Sequence, residues 1–323
     1  DQRKHALCFT SSADMRSISW MKSWPGFLFL LFIGLTPARA VLFDSTGDPT
    51  FNTTAPGGAL AGSGWQFQGD WLGFLGTPIA PNYFISAAHI GGSVGDLFTF
   101  GGVQYTTTAV FNSPTSDLRI WQVSGTFPTF APIYTGNDEV GKSLVVFGRG
   151  TQRGAEVSPG GMLKGWSWGT SDSVQRWGTN VVSSIYAASA QNDFLVAAFD
   201  HGFNINEAHL STGDSGGAVF IQDAFGTWSL AGINYGVDGP YALDSLGNGQ
   251  FDAALFDQNG YYLQNSMGVW EAASGPGNFY ATRISSNSEW IASVIPEPDV
   301  PMLLLCGLSI LLIAPHIASR RNK

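Results

Sequence analysis

Hydrophobic and polar residues alternate in short stretches through the middle of the chain, and clusters of Gly, Pro, Asn and Asp separate these stretches. Alternation with a period of two, bounded by turn residues, predicts β-strands. We expect strands at residues 73–75, 83–86, 97–100, 105–111, 118–123, 143–147, 181–187, 194–199, 218–222 and 228–234. One helix is predicted late in the chain, at residues 285–294, where Trp290, Ile291 and Val294 share one face.

The composition favours an all-β domain. The 323 residues include 41 Gly and 23 Phe, and only 12% of them are charged. Glycine permits tight turns and aromatic side chains fill a β core, whereas a disordered or coiled-coil chain would carry far more charge. The stretch at residues 149–165, rich in Gly and charge, is the best candidate for a linker. It would separate a first half at residues 41–155 from a second half at residues 156–294.

Charge is distributed unevenly along the chain. The formal net charge is −9, but eight of the 15 basic residues lie outside residues 41–294, which keep 7 bases and 20 acids, or 7 − 20 = −13. Such an acidic domain does not suit a nucleic-acid partner. The two cysteines, Cys8 and Cys306, lie at opposite ends of the chain and offer no disulfide framework. Nothing in the composition calls for a cofactor.

The first 40 residues have the features of a secretory leader. Lys22 precedes an apolar run at residues 27–35, and the small residues Ala38 and Ala40 follow it. A basic start, a short apolar run and a small-x-small ending are typical of a signal peptide, here cleaved by signal peptidase after Ala40. The run is short of the ~20 residues that a membrane-spanning helix needs, although an anchor or a buried helix remains an alternative.

The last segment, residues 295–323, combines a Pro296-Glu297-Pro298 motif, an apolar run at 300–314 and the basic residues Arg320, Arg321 and Lys323. The apolar run is predicted to enter the membrane as a helix, with its basic end on the cytoplasmic side. The arrangement resembles a PEP-CTERM sorting tail. That resemblance implies processing by an exosortase-type enzyme and delivery beyond the inner membrane, to a secreted or cell-surface location. A permanent tail anchor is the alternative.

A serine surrounded by glycines is the first candidate for chemistry. Ser215 lies in the sequence Gly213-Asp214-Ser215-Gly216-Gly217, immediately before the predicted strand at 218–222. A tight turn of this kind exposes the hydroxyl and allows two backbone N–H groups to point at one position. A nucleophile with an oxyanion hole needs this combination, the hole being formed by the amides of Gly213 and Ser215. An ordinary β-turn is the alternative.

Two further residues would complete the chemistry of Ser215. His89 follows the predicted strand at 83–86, and Asp117 precedes the strand at 118–123. Alone, the histidine would be structural and the aspartate a strand cap. Together with Ser215 they supply a nucleophile, a general base and a carboxylate that orients the base.

The order His89, Asp117, Ser215 resembles that of the chymotrypsin/trypsin-like serine proteases. Further similarity lies in the blocks 76–89, 231–236 and 277–284, and in Trp290-Ile291. The resemblance implies two six-stranded antiparallel β-barrels with the triad between them. It also implies a serine endopeptidase that cleaves proteins or peptides through an acyl-enzyme, with Ser215 as nucleophile, His89 as base and Asp117 as orienting group.

The resemblance also implies where the substrate would bind. Asn234, Tyr235 and Gly236 would pair with the extended substrate backbone. His209, six residues before Ser215, would lie at the base of the specificity pocket. Because His209 is not an aspartate, this position argues against cleavage after Arg or Lys and favours acidic side chains.

Two departures from the family pattern qualify these expectations. About 42 residues separate Gly236 from Phe279, and this acidic insertion is expected to overhang or rebuild the pocket. Its carboxylates match no calcium-loop spacing, so a solvated loop is expected and no metal site. The chain also lacks a zymogen activation sequence, so we expect a pre-ordered oxyanion loop. A charge on the amine of Val41 is the alternative way to order it. A catalytically silent surface or matrix binding protein, and an esterase or acyltransferase, remain alternative functions.

Overall fold

The structure is a computed structural model that describes residues 41–188 and 193–295. The predicted signal peptide and almost all of the predicted sorting tail lie outside these residues. Within the described ranges, no helix has both the length and the apolar character needed to cross a membrane.

The described residues are mostly β-structure. The strands are β1 Leu42–Phe43, β2 Gly69–Trp71, β3 Phe74–Ala80, β4 Tyr83–Ala87, β5 Leu97–Phe100, β6 Val103–Asn112, β7 Leu118–Val123, β8 Ser143–Gly148, β9 Thr151–Val157, β10 Gly165–Ser171, β11 Arg176–Val181, β12 Ser184–Ala187, β13 Asp193–Ala198, β14 Ala208–His209, β15 Ala218–Gln222, β16 Trp228–Val237, β17 Tyr241–Ala242, β18 Ala253–Leu255, β19 Tyr262–Gln264, β20 Trp270–Ala272 and β21 Asn278–Arg283. The 3₁₀-helices are η1 Gly58–Leu60, η2 Trp65–Phe67, η3 Ala88–Ile90, η4 Pro159–Gly161 and η5 Ser285–Asn287, and the α-helix is α1 Ser288–Val294. The helix predicted at 285–294 is therefore a 3₁₀ turn followed by two turns of α-helix.

The first half of the chain forms a closed six-stranded barrel in the order β2-β3-β4-β7-β6-β5, with β5 pairing back onto β2. Its interior is aromatic: the Phe84 and Phe98 rings stack 3.9 Å apart, and the Trp71 and Trp121 rings lie 4.8 Å apart. A Cβ at Gly69 would approach Phe98 Cζ to 2.3 Å, so only glycine leaves room for this ring. The aromatic-rich composition is thus explained by a barrel filled with rings.

The second half is not another closed barrel, and that expectation is wrong. Seven antiparallel strands form an open sheet in the order β11-β8-β15-β16-β21-β13-β12. The edge of β11 that faces away from β8 is covered by the loop that follows β13. There the backbone N–H of Thr179 in β11 donates to Asn206 O of the loop (2.8 Å). Asn180 Nδ2 then donates to Ala198 O at the end of β13 (2.7 Å). A side-chain hydrogen bond therefore links β11 to the end of β13, whereas backbone hydrogen bonds would link the edge strands in a closed barrel.

A shared hydrophobic core joins the barrel to the seven-stranded sheet. Leu75 and Ile85 from the barrel lie in one buried cluster with Phe147 and Phe220 from the sheet, and Ile291 of α1 belongs to it. Burial of this shared cluster holds the end of β4 and the start of β7 beside the loop that precedes β15. The candidate chemistry of the sequence lies at this junction.

The predicted linker at 149–165 contains a strand. It includes β9, and β9 pairs with β10, which in turn pairs with β18 from the insertion after Gly236. The predicted boundary between residues 155 and 156 falls within β9. The rest of the insertion forms a second small sheet, β17-β19-β20. β9 pairs with the next strand in the chain, whereas β10 also pairs with a strand more than 80 residues away, which local composition does not reveal.

Candidate active site

The barrel places His89 beside Asp117. His89 lies in η3, directly after β4, and β4 pairs with β7 so that Ala87 is opposite Leu118. Asp117, the residue before β7, therefore contacts both the backbone and the ring of His89. The backbone N of His89 donates to Asp117 Oδ1 (2.9 Å), and His89 Nδ1 lies 2.5 Å from Asp117 Oδ2. A carboxylate is an acceptor, so this contact assigns the proton to Nδ1.

The sheet brings Ser215 to the other side of the same imidazole. Ser215 Oγ lies 2.7 Å from His89 Nε2, across a separation of 126 residues. With Nδ1 protonated, Nε2 accepts the hydroxyl proton of the serine. The side chain of His89 is 40% exposed and that of Asp117 17%. The three residues predicted from chain order thus form one hydrogen-bonded chain that is open to solvent at its centre.

Three glycines allow the turn around Ser215 to approach its neighbours closely. Gly213 has a φ of +91°, and a Cβ there would lie 2.9 Å from Gly150 Cα. A Cβ at Gly216 would lie 2.4 Å from Ser86 Oγ, and one at Gly217 would lie 2.0 Å from Phe147 O. Within the described residues, the amides of Gly213 and Ser215 donate no hydrogen bond. These are the two N–H groups that the sequence singled out for an oxyanion.

The side chain of Asp214 stabilises the turn around Ser215. Its buried carboxylate accepts hydrogen bonds from Gly150 N (2.7 Å), Ser211 N (2.8 Å) and Ser211 Oγ (3.1 Å). Burial raises the pKa of Asp214 to about 6, against these bonds. Sequence reasoning assigns no role to Gly150 or Ser211. The run Gly148-Arg149-Gly150 was a usable signal, because a Cβ at Gly148 or Gly150 would collide with Asp214.

A cavity of about 280 Å³ opens beside Ser215. Its wall combines four parts of the chain, which include Trp168 of β10, Leu210 from the loop before the serine, Val237 from β16, and Pro240 and Asp252 from the insertion. The insertion therefore contributes to the wall of this cavity, and His89 remains partly exposed.

His209 does not line this cavity, contrary to the sequence expectation. It is fully buried in β14 and pairs with Leu42 of β1, and its Nδ1 lies 2.7 Å from Leu210 O. Successive side chains of an extended segment point to opposite sides, so Leu210 faces the cavity and His209 faces the core. Burial lowers the pKa of His209, which favours its neutral form. It offers no charge for the selection of an acidic side chain.

The three residues expected to bind substrate backbone have different surroundings. Asn234 is buried, and its Nδ2 donates to Phe147 O (2.8 Å) and Asp214 O (3.0 Å). It is thus a brace for the serine turn. Tyr235 is exposed, with its ring 5.9 Å from that of His89. Gly236 lines the cavity and has open space where a Cβ would lie.

Most acidic side chains of the insertion have partners of their own. Asp238 accepts bonds from Asn278 N (2.8 Å) and Tyr280 Oη (2.7 Å), and Asp257 pairs with Lys164 (2.6 Å). Throughout residues 41–188 and 193–295, no group of three or more His, Cys, Asp or Glu residues is arranged to hold a metal ion.

No protein-family model matches the chain, and no curated protein matches it either. Among solved structures, the chain is similar to kallikrein-related peptidase 10, with 15% sequence identity and a TM-score of 0.42. That match covers 74% of this chain and 98% of the other. The chemistry of the site accordingly rests on its own geometry.

Proposed function

We propose that the protein is a serine endopeptidase that hydrolyses peptide bonds through an acyl-enzyme intermediate. The observation that carries the proposal is the hydrogen-bonded chain from Asp117 through His89 to Ser215 at the mouth of a cavity. A serine hydroxyl is a weak nucleophile until a neighbouring base accepts its proton, and this arrangement supplies that base already oriented.

The geometry supports a two-stage reaction. In the first stage Ser215 Oγ attacks the carbonyl carbon while its proton passes to His89 Nε2, and Asp117 stabilises the resulting imidazolium. The amides of Gly213 and Ser215 would bind the oxyanion, and His89 then protonates the departing amine as the C–N bond breaks. In the second stage a water attacks the ester, His89 takes its proton, and the same proton returns to Ser215 Oγ as the acid is released. His89 must be neutral to begin, because a protonated imidazole cannot accept the serine proton.

We propose that this activity is exerted outside the inner membrane, and the features of the two ends of the sequence support this proposal. Signal peptidase would remove residues 1–40, and an exosortase-type enzyme would process the tail at 295–323. The domain between them contains no cysteine, so its fold does not depend on disulfide formation. Terminal sequencing of the exported protein tests this, with Val41 expected as the first residue.

A fluorophosphonate probe tests the proposed chemistry. The purified chain should be labelled at Ser215 and should degrade casein, and Ser215→Ala should lose both properties. Ser124→Ala is the matched control, because Ser124 is exposed on the barrel outside the site and its hydroxyl bonds no described residue.

Absence of labelling in folded protein would refute the proposal and favour a binding role. Turnover of small esters without any cleavage of casein would instead identify an esterase or acyltransferase.

A further inference from the structure

The insertion brings one carboxylate to the cavity beside Ser215. Asp252 immediately precedes β18, whose pairing with β10 sets Ala253 opposite Ser167. Trp168 N donates to Asp252 O (3.1 Å), which fixes the backbone of Asp252 against β10. Both residues line the cavity. A backbone ladder thus positions this aspartate, although it belongs to an insertion.

The carboxylate of Asp252 has no partner in the described part of the chain. No described residue donates a hydrogen bond to it or forms an ion pair with it, whereas Asp238 and Asp257 have partners elsewhere. The cavity wall contains no Lys, Arg or His. The other carboxylate of the wall, Asp214, is buried and already accepts three hydrogen bonds. Among the described residues of the wall, Asp252 is therefore the charged side chain that can still pair with a ligand.

The rest of the wall suits a long side chain with an apolar stem. Leu210, Val237 and Pro240 offer aliphatic surface, and Trp168 offers an aromatic face. A lysine or arginine side chain buries its methylene groups on apolar surface and needs an anionic or aromatic partner at its tip. An acidic side chain in the same place would meet a like charge.

We infer that Asp252 makes this cavity selective for a cationic side chain, that of Lys or Arg, on the residue whose carbonyl Ser215 attacks. This inference rests on the proposed function and names its substrate class. It replaces the preference for acidic side chains expected from His209, which lies outside the cavity. The net charge of −13 over residues 41–294 also favours encounter with cationic peptides.

Fluorogenic peptides that differ only at the residue before the cleaved bond test the inference on the full chain. Peptides with Lys or Arg should exceed those with Gln or Leu in kcat/KM by about tenfold, since Asp252 remains exposed and solvent weakens the pairing. Asp252→Asn should abolish most of this ratio, because kcat/KM for the Lys and Arg peptides falls further than kcat/KM for the Leu peptide. Asp252→Lys should favour Glu over Lys. Glu271→Gln is the matched control, because Glu271 is an exposed carboxylate of β20 outside the cavity.

A binding measurement keeps the inference separate from the proposed catalysis. In the Ser215→Ala chain, calorimetry should show an aromatic amidinium binding about tenfold more tightly than its uncharged amide, and Asp252→Asn should remove the difference.

The possible failures are distinguishable. Loss of probe labelling with selective amidinium binding would refute the proposed function alone. Labelling with a flat or acidic preference, or a basic preference unchanged in Asp252→Asn, would overturn the role of Asp252 and leave the function standing.

Discussion

The barrel and the seven-stranded sheet hold their parts of the site by different means. The barrel fixes His89 and Asp117 by backbone pairing of β4 with β7 around a closed aromatic core. The sheet holds Ser215 on a loop that depends on the side chains of Asp214 and Asn234. His89 and Asp117 thus belong to the region that is held by backbone pairing. Ser215 belongs to the region in which single side chains hold the loop.

Asp117→Asn tests the barrel's contribution and should have the largest effect. An amide can present its NH₂ group to His89 Nδ1 and so favour the tautomer that cannot accept the serine proton. We expect kcat to fall by about 10⁴-fold with little change in stability. Stopped assays with a peptide substrate measure the loss, and thermal unfolding checks the fold. A fall of less than about tenfold would mean that Asp117 does not orient the base.

Gly213→Ala tests the sheet's contribution at the oxyanion position. The new Cβ would lie 2.9 Å from Gly150 Cα, and the alanine would have to adopt a φ of +91°. Both effects should shift the amide of residue 213. We expect kcat to fall by about 10²- to 10³-fold, the usual cost of one oxyanion donor.

Gly226→Ala is the control for that substitution. Gly226 has a similar φ of +79°, but no atom lies within 4 Å of its added Cβ. Gly226→Ala should lose about 1–2 kcal/mol in the free energy of unfolding, as Gly213→Ala should from its own positive φ, but it should retain full activity. Equal loss of activity in the two variants would contradict the assignment of Gly213 to the oxyanion hole.

The pH dependence of stability should distinguish the two regions next. Burial, together with the nearby charges of Asp200 and Asp44, raises the pKa of Glu207 from 4.5 to about 8. Between these values the folded state keeps a proton that the unfolded chain has released, so stability falls as the pH rises. The slope reaches at most about 1.4 kcal/mol per pH unit.

Urea unfolding of the wild type and Glu207→Gln at about pH 6 and pH 8 measures this slope. Burial raises the pKa of Asp214 to about 6, so Asp214 also titrates at the lower end of this interval, but its contribution is common to both proteins and cancels in their difference. Glu207→Gln should lose most of the slope and gain relative stability at the higher pH. Parallel lines for the two proteins would show that Glu207 is ionised in the folded state.

Asn180→Ala should have the smallest effect of the four. Asn180 Nδ2 donates to Ala198 O (2.7 Å) and Ala208 O (3.2 Å), and the substitution leaves both carbonyls without this donor. We expect a loss of about 1–3 kcal/mol in the free energy of unfolding, with kcat nearly unchanged. No loss in urea unfolding would show that the sheet does not need this bridge.

Local patterns predicted the strands that alternate clearly. The expected strands at 97–100, 118–123 and 218–222 agree with the structure to the residue. The single strand expected at 181–187 is instead split between the end of β11 and β12. β10 was missed because one of its two pairing partners, β18, comes from the insertion, and no local signal reports so distant a partner. β9, which pairs with β10, was missed with it.

Chain order likewise predicted which residues meet, but the cavity needed the fold. His89, Asp117 and Ser215 come together as expected, and their catalytic roles remain a prediction. His209 was misplaced because counting back from Ser215 cannot show the direction of a side chain, which pairing with β1 determines. Nothing in the sequence distinguishes Asp252 from the other acidic residues of the insertion. Its place in the wall depends on the register between β10 and β18.

The pairing of β18 with β10 keeps the residue proposed for recognition apart from the residues proposed for catalysis. The latter lie on the barrel and on the serine loop, whereas the insertion holds Asp252 in the cavity wall through β18. We therefore expect sequence exchanges within residues 237–277 to change the proposed specificity while they leave the proposed catalytic residues in place.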